Sequence, residues 1–329
     1  MRRISCFVIF LWFLFFKTFG QIDENKVSRF ILNYSKTQDL KVEAVRAILD
    51  SAKYVPEIIE RITRPAEDIS WKRYRNIFIT NERITKGVTF WSDYESTLSA
   101  VSKESGVEIE YLVAILGVET YYGEKKGGYK VLDALYTLAF GYPKRASFFT
   151  KELGEFITLS STQNLDLYSA EGSYAGAIGY CQFMPSSYRA YAKSFDNSKS
   201  CDLVNNVDDA IMSAANYLKV HKWKNGGKVA VQAQKVSNAI NLNTNYIKPK
   251  NKVQYFMERG YQVEGQSMTD LVSIIELDNE ISIEYWMGFS NFYVLTRYNH
   301  SPLYAMAVHQ LAQEIRILKN RIRINKIKN

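Results

Sequence analysis

Glu119 occupies a position at which the helical spacing of apolar residues predicts an apolar side chain. From Leu112, apolar residues recur at i+3 and i+4 and Glu119 follows at i+7, so all four lie on one face of a helix. Burial without a neighbouring cation disfavours the charged form of a carboxyl and raises its pKa. Such a carboxyl is suited to act as a general acid near neutral pH. The alternative is a helix end at which Glu119 turns to solvent or pairs with Lys125 or Lys126.

The start of this helix is predicted by a capping box. Ser105 has the side chain of an N-cap residue, and Glu108 follows three residues later. We therefore expect the helix to begin at Ser105 and to continue through the apolar residues that precede Glu119.

A second segment, 172–188, supplies groups that could hold a ligand. It contains three glycines, three tyrosines and Gln182, and it has no clear helical or strand period before Pro185, where a helix can start. Long irregular segments inside a folded domain usually line a site. Ser173 and Gln182 offer neutral hydrogen bonds and the tyrosines offer flat faces, a combination that suits a sugar ring. The alternative is a tight turn in which the glycines serve packing.

Composition narrows the class of chemistry. The 329 residues contain 42 Lys and Arg against 34 Asp and Glu, a net charge of +8 that favours anionic partners. An aromatic fraction of 14% excludes a disordered chain, and three His and three Cys can scarcely build a metal site. The G-x-S-x-G and H-E-x-x-H motifs are absent from the sequence, which excludes serine-hydrolase and metalloprotease hypotheses. The chemistry must depend on carboxylates, and no metal or cofactor is expected.

The N-terminus has the layout of a signal peptide. Arg2 and Arg3 precede an apolar run at 4–16, which is short for a membrane-spanning helix, and Thr18 and Gly20 are small enough for the cleavage site. An uncleaved anchor is the alternative. We therefore expect a periplasmic protein with a leader at 1–20.

The positions of the three cysteines are compatible with an exported protein. Cys6 lies inside the apolar run rather than after a small-residue box, so no lipoprotein attachment site is predicted. Export would bring Cys181 and Cys201 into an oxidising compartment. They either form a disulfide or remain two unpaired small residues of the core.

The rest of the chain is predicted to be mainly helical. Helical spacing of apolar residues covers 26–141 and 185–223, and it returns at 303–324. Short β-branched and aromatic runs predict strands of a small antiparallel insert at 273–277, 281–286 and 292–296.

Six segments, in order along the chain, together resemble the lytic murein transglycosylase B family, glycoside hydrolase family 103. They are PAEDISWKRYRNIF (65–78), GVETYYG (117–123), VLDALYTLAFGYPKRASFF (131–149), SYAGAIGYCQFMPSSY (173–188), AANYLKVHKW (214–223) and FYVLTRYNHSPLYAMAV (292–308). The resemblance implies a mainly α fold, with a lysozyme-like helical core, a helical N-terminal domain and a small β-rich insert. The corresponding divisions are 21–104 for the N-terminal helical region, 105–227 for the core, 228–296 for the insert and 297–329 for the last core helix with a basic tail.

The resemblance also implies roles for individual residues. Glu119 matches the single catalytic acid and base of the family. Arg145 matches a contact to peptide or lactyl carboxylates. The remaining matched positions line the glycan groove: Ser173, Gln182, Tyr217, Tyr298, Asn299 and Tyr304.

Two features, one loop and one single residue, depart from the family pattern. Family members often carry an EF-hand-like calcium loop, but counting from Asp196 puts Cys201 at position 6 and Val207 at position 12, where Gly and an acid are needed. Lys199 also adds a positive charge to this loop, so calcium binding is not expected. Cys181 stands where the family usually has Gly, which is expected to tighten the floor of the site.

The implied activity is cleavage of peptidoglycan without water. With no second acid in the 172–188 segment, the two-carboxylate mechanisms of ordinary glycosidases are not supported. Glu119 would instead serve as acid and then as base while the substrate closes a 1,6-anhydro ring. The alternatives are a water-using muramidase on the same fold and a non-catalytic wall-binding protein.

The expected partners follow from this activity. They are peptidoglycan glycan strands, with proteins of the wall-synthesis machinery as further candidates, and the chain is expected to act as a monomer. A nucleic-acid partner is not expected, because the signal peptide opposes it and no zinc module or basic helix supports it.

Overall fold

The computed structural model describes residues 22–64, 69–163, 165–244 and 247–328. The predicted leader at 1–20 lies outside the described residues. Within the described part of the chain, no helix combines the length and the apolar character that a membrane span requires.

Helices dominate the described residues, as the sequence predicted. The first six precede the helix that carries Glu119: α1 (Glu24–Gln38), α2 (Val42–Ser51), α3 (Pro56–Thr63), α4 (Trp71–Phe78), α5 (Asn81–Asp93) and α6 (Glu95–Ser105). The others are α7 (Ile109–Thr120), α8 (Val131–Gly141), α9 (Ala146–Thr162), α10 (Pro185–Tyr191), α11 (Val207–Val220), α12 (Val253–Met257), α13 (Ser290–Tyr298) and α14 (Pro302–Lys328).

Helix α7 is the centre of the molecule. Its side chains are buried on almost every side, from Glu110 to Val118, as expected of a helix that is apolar all round. It packs against α5, α6, α11 and α14, so helices that precede it and follow it in the chain enclose it. A surrounded helix holds its last turn in a fixed position, and Glu119 lies on that turn.

A five-stranded antiparallel sheet follows the helical core in sequence. Its strands are β3 (Ala230–Lys235), β4 (Asn251–Lys252), β5 (Tyr261–Gln262), β6 (Leu271–Asp278) and β7 (Ile283–Gly288), in the spatial order β4-β6-β7-β3-β5. Alternation along β6 sends Ile275 and Leu277 into the main core, while Val272 and Ile274 join a second small core with α12. A two-stranded pair, β1 (Tyr129–Lys130) and β2 (Glu171–Gly172), braces the segment near 172–188.

Two local predictions are wrong. The run at 292–296 is part of α13, because Phe292 and Leu295 lie three residues apart on the helix and both are fully buried. Ser105 is the last residue of α6 rather than an N-cap, since Gly106 takes the left-handed conformation at φ 76° and ends that helix. Helix α7 therefore starts at Ile109, and the Glu108 carboxylate accepts hydrogen bonds from Trp223 and Gly226 instead.

The strand predictions at 273–277 and 281–286 correspond to β6 and β7 and are confirmed. The division of the chain at 104, 227 and 296 stays a prediction.

Candidate active site

The end of α7 aims Glu119 out of the core. Tyr121, Tyr122 and Gly123 follow the helix with φ of 54°, 62° and 95°, so the chain reverses abruptly after Thr120. A side chain at Gly123 would lie 1.9 Å from the Tyr180 ring, and one at Gly117 would lie 2.7 Å from Tyr122. The two glycines of G-V-E-T-Y-Y-G therefore allow the reversal that leaves the Glu119 carboxyl at the surface of the core.

Glu119 is half-buried, and its surroundings disfavour the charged form of its carboxyl. Burial raises its pKa from 4.5 to about 7, while the hydrogen bond from Tyr304 opposes this increase. The Tyr304 hydroxyl donates to Glu119 Oε1 at 2.6 Å, and Tyr304 itself is 2% exposed. No acidic side chain among the described residues contributes to the pKa shift. A neutral carboxyl that can give and take a proton near pH 7 is available at this position.

Three of the predicted groove residues form one aromatic cluster beside Glu119. Tyr298 stacks on Tyr304 with 6.3 Å between ring centroids, and Tyr217 lies 4.8 Å from Tyr298. The Tyr298 hydroxyl donates to the carbonyl of Cys181 at 2.9 Å, which joins α13 to the glycine-rich segment. Burial raises the pKa of all three phenols, so they act as neutral hydrogen-bonding groups and flat apolar faces.

The segment 172–188 forms an irregular wall, as its sequence predicted. Ser173 Oγ accepts from the backbone nitrogen of Ala177 at 3.0 Å, which closes a tight turn. Gln182 has a φ of 49°, and its Nε2 donates to the carbonyls of Lys126 and Gly179. The amide nitrogen therefore holds the loop, and the amide oxygen is the group suited to accept from a substrate hydroxyl. Helix α10 starts at Pro185, as expected.

Arg145 and Asn299 lie farther out. Arg145 is exposed in a short 3-10 turn before α9, with its guanidinium 4.3 Å from the centre of the Phe148 ring. Asn299 is exposed where α13 ends, one residue after Tyr298. Glu119, Tyr298 and Tyr304 therefore lie close together, whereas Arg145 and Asn299 lie at the edge of this cluster.

Sequence reasoning gave no role to Tyr74, which faces the same site from α4. Burial raises its pKa to about 12, and the neighbouring Glu119 adds to the increase. Trp71 and Phe78 flank it, with ring centroids at 6.4 and 5.0 Å. The sequence signal for Tyr74 was the spacing of Trp71, Tyr74 and Phe78 at i, i+3 and i+7. The same spacing is equally typical of aromatic residues that pack in a core.

Cys181 and Cys201 are both buried free thiols. Cys181 Sγ donates to the carbonyl of Ala210 at 3.2 Å, whereas Cys201 Sγ lies 3.5 Å from Ser213 Oγ. Burial raises both thiol pKa values, which keeps the thiols protonated and unreactive.

The loop after α10 does not fit calcium. Asp209 Oδ1 accepts from the backbone nitrogen of Phe195 and its Oδ2 from that of Asp202, so this one carboxylate closes the loop. Asp202 Oδ1 accepts in turn from the nitrogens of Val204 and Asn205. Among the residues that the structure describes, no three acidic, His or Cys side chains gather as a cation would require.

Comparison with known proteins fits this arrangement. Residues 23–313 match the family described as the transglycosylase SLT domain. The chain belongs to this family. It is 38% identical to membrane-bound lytic murein transglycosylase B of Escherichia coli K12 over 288 residues, which are 84% of this chain and 79% of the relative.

Solved structures agree with the family assignment. Soluble lytic transglycosylase SltB1 of Pseudomonas aeruginosa is 40% identical with a TM-score of 0.83, over 90% of this chain and 99% of that one. The Escherichia coli lytic transglycosylase Slt35, solved with bulgecin A, is 36% identical with a TM-score of 0.82, over 89% and 93%. The predicted resemblance and the mainly α, lysozyme-like fold of this SLT-domain chain are therefore confirmed.

Proposed function

We propose that this lytic transglycosylase cleaves the bond between N-acetylmuramic acid and N-acetylglucosamine in peptidoglycan, with Glu119 as acid and then base. The SLT-domain assignment makes the chain a lyase acting on murein. The observation that carries the finer mechanism is the single carboxyl with a pKa of about 7, held by Tyr304 beside a wall of tyrosines.

The first step uses the protonated form. Glu119 gives its proton to the glycosidic oxygen while the N-acetyl carbonyl of the muramic acid stabilises the positive charge at C1. Tyr304 donates to the carboxylate that results, and this stabilises the charge that appears on Glu119.

The second step uses the ionised form. Glu119 takes the proton of the C6 hydroxyl as that oxygen attacks C1, so a 1,6-anhydro ring forms and the carboxyl returns to its starting state. No water is consumed. Retaining and inverting glycosidases need a second carboxylate. Among the described residues, no acidic side chain contributes to the pKa shift of Glu119.

The substrate contacts extend this proposal. Tyr217, Tyr298 and Tyr304 form the wall of the proposed groove, and Ser173 and Gln182 are assigned to its border. These assignments rest on the cluster geometry together with the matched motifs. Arg145 and Asn299 are proposed for the edge of the groove, where substituents of the sugar extend.

The compartment is also a proposal. A chain that follows a signal peptide at 1–20 would be exported to the periplasm, where murein lies. The Escherichia coli relative is itself named as membrane-bound. The monomeric state and contacts with wall-synthesis proteins stay predictions.

The test is mass spectrometry of purified sacculi after digestion. We expect muropeptides that are one water lighter than hydrolytic products. Reducing ends would instead indicate a water-using muramidase, and binding without release of fragments would indicate a wall-binding protein.

A further inference from the structure

The turn that joins β6 to β7 contacts the start of α4. The ladder between the two strands extends to Asp278 and Ile283, so the turn at 279–282 forms the tip of this β6–β7 hairpin. At the tip, the Glu280 carboxylate accepts three hydrogen bonds from residues that lie 207 to 210 positions away in the sequence. The mechanism of bond cleavage assigns no role to this contact.

The contact is a network of donors around one carboxylate. Arg73 Nε donates to Glu280 Oε1 at 2.8 Å, and Ser70 Oγ donates to the same oxygen at 3.0 Å. Lys72 Nζ donates to Oε2 at 3.3 Å. The hydrogen bonds from Ser70 and Lys72 lower the pKa of Glu280, which keeps its carboxyl ionised at neutral pH. A single exposed ion pair contributes little, whereas several charged groups joined in a network hold a fixed geometry better.

The sequence on both sides of the contact favours it. Glu280 has a φ of 72°, in the left-handed region that Gly and Asn adopt more readily, and its nitrogen donates to Asp278 Oδ1 at 2.7 Å. The first turn of α4 contains Lys72 and Arg73 and no acidic residue. Positive charges near a helix N-terminus are unfavourable with the helix dipole. Glu280 therefore supplies the negative charge that the start of α4 lacks.

Helix α4 carries Tyr74 between two long-range contacts. Arg73, which precedes Tyr74 in the sequence, donates to the hairpin carboxylate. Arg75, which follows it, donates from Nε to Gln310 Oε1 of α14 at 2.8 Å. Helix α14 also carries Tyr304, and α4 packs against both α14 and β6. The position of Tyr74 is therefore set by the insert on one side and by the last helix on the other.

Tyr74 belongs to the same site as the reacting carboxyl. Burial raises the pKa of Tyr74 to about 12, and Glu119 adds to the increase. Burial likewise raises the pKa of Tyr304, with further contributions from Glu119 and Tyr74. A shift of α4 would therefore change the space beside the Glu119 carboxyl, and small errors in the position of reacting groups lower the rate strongly.

We propose that Glu280 is a positioning residue of the active site, which acts through the start of α4 to hold Tyr74 beside Glu119. This inference rests on the proposed function, because it concerns the same reacting carboxyl. The β-rich insert thus contributes to bond cleavage through its hairpin, although Glu280 itself does not contact the bond that is cleaved.

The first test is Glu280→Gln in the full chain, with release of muropeptides as the assay. The amide keeps the length of the side chain but loses the charge that holds both cations. We expect kcat/KM to fall about fivefold, which corresponds to about 1 kcal/mol, with most of the loss in kcat. The matched control is Glu276→Gln, at an exposed position of β6 in the same hairpin, which should leave kcat and KM unchanged.

A second test determines whether Glu280 acts through Tyr74. Tyr74→Ala should itself lower kcat, because the ring beside Glu119 is removed. In that background Glu280→Gln should cost less than about twofold, since residues that act as one unit have non-additive effects. A role of Glu280 in folding alone would instead lower the rate by the same factor with or without the Tyr74 ring.

A third pair of variants separates positioning from stability. Glu280→Asn suits the left-handed backbone, but its shorter side chain cannot reach all three donors, so kcat/KM should fall while Tm stays level or rises. Lys72→Gln/Arg73→Gln removes the same contacts from the α4 side. It should give the same kinetic loss, with no further loss when Glu280→Gln is added, and it provides the comparison if a Glu280 variant does not fold.

Unchanged kcat/KM in Glu280→Gln and in the α4-side variant would overturn the inference. An undiminished further loss in the Tyr74→Ala background would overturn it as well, and so would a kinetic loss in Glu280→Asn that only follows a fall in Tm. The rates count all released fragments, whichever ends they carry. Reducing ends in place of anhydro ends from the unmodified enzyme would therefore count against the proposed function and not against the role of Glu280.

Discussion

Among single residues, Glu119 and Tyr304 form the pair on which the proposed chemistry depends. The buried surroundings raise the pKa of the carboxyl to about 7, so both forms are populated near that pH, and the phenol stabilises the carboxylate that forms when the proton leaves. These two effects oppose each other, so the pKa lies near the pH at which one group can serve both half-reactions.

Replacing Glu119 with Gln should abolish turnover and leave the fold intact. The amide keeps the size of the neutral acid but cannot exchange a proton, and general acid–base catalysis is worth about 10² to 10⁴ in rate. Because a neutral carboxyl makes no ion pair, Tm should stay level or rise slightly. Release of anhydro-muropeptides measures the rate, with Gln182→Ala as a control whose loss is smaller. Retention of more than about a tenth of the activity would contradict the single-carboxylate mechanism.

Replacing Tyr304 with Phe should shift the pH profile as well as lower the rate. The hydroxyl stabilises the ionised carboxyl, so its loss raises the pKa of Glu119. A hydrogen bond to a charged group is worth about 1.5 to 3 kcal/mol, so the alkaline limb of kcat against pH should move up by about one to two pH units. Tyr298→Phe removes a hydroxyl bonded to a backbone carbonyl and serves as the matched control. An unshifted limb in Tyr304→Phe would show that the phenol does not act on the carboxyl.

The sequence could predict Glu119 because its partners on the helix face are local. A period of 3.6 residues relates Leu112 to Glu119 without any knowledge of the fold. Tyr304 lies 185 residues away, and no periodicity relates two such positions. It entered the predicted site through a motif resemblance, and Tyr74 was missed because its aromatic spacing also describes ordinary packing.

At the scale of elements, α13 illustrates why short apolar runs are ambiguous. Residues 292–296 are aromatic and β-branched and read as a strand, but the flanking residues complete a nine-residue helix packed on α11 and α14. By local preference, the helical and the strand conformation of this run are close in free energy. The tertiary contacts with α11 and α14 stabilise the helix. By contrast, β6 and β7 are joined by a turn at Asn279 and Glu280, whose polar residues did mark the boundary.

The loop between α10 and α11 should hold its structure without calcium. Asp209 is buried and accepts from two backbone nitrogens that a chelated ion would otherwise help to organise. A chelator should therefore change neither Tm nor activity. A fall in Tm that added calcium reverses would contradict this expectation.

The same loop should depend strongly on Asp209. In Asp209→Ala the partly buried backbone N–H groups of Phe195 and Asp202 lose their acceptors. A fully buried donor without a partner costs about 1 to 3 kcal/mol, so the free energy of unfolding should fall by at most about 6 kcal/mol. Urea denaturation measures the change. Asp196→Ala, at an exposed position in the loop, should cost less than about 1 kcal/mol.

For the whole molecule, His309 couples stability to pH. It is 3% exposed on α14, between Tyr111 of α7 and Trp286 of the sheet, and burial lowers its pKa from 6.5 to about 4. The unfolded chain therefore binds one more proton than the folded chain between these pH values. The free energy of unfolding should fall by up to about 3 kcal/mol as the pH is lowered from 6.5 to 4.

Urea midpoints across this range test the coupling. His309→Gln cannot take up the proton, so its stability should vary less with pH even if it is lower overall. Equal slopes for the two proteins would assign the acid sensitivity to other groups whose pKa is lower in the folded chain than in the unfolded chain.

The late position of Tyr304 in the chain also affects the time at which the enzyme first becomes active. Glu119 emerges from the ribosome 185 residues before its hydrogen-bond partner, a delay of roughly 10 to 40 seconds at ordinary rates of synthesis. Until α13 and α14 are made, the carboxyl has neither its phenol nor the buried surroundings that adjust its acidity. On the proposed mechanism, a nascent or prematurely terminated chain would carry a glutamate with an ordinary pKa, so the enzyme could not act before its synthesis is nearly complete.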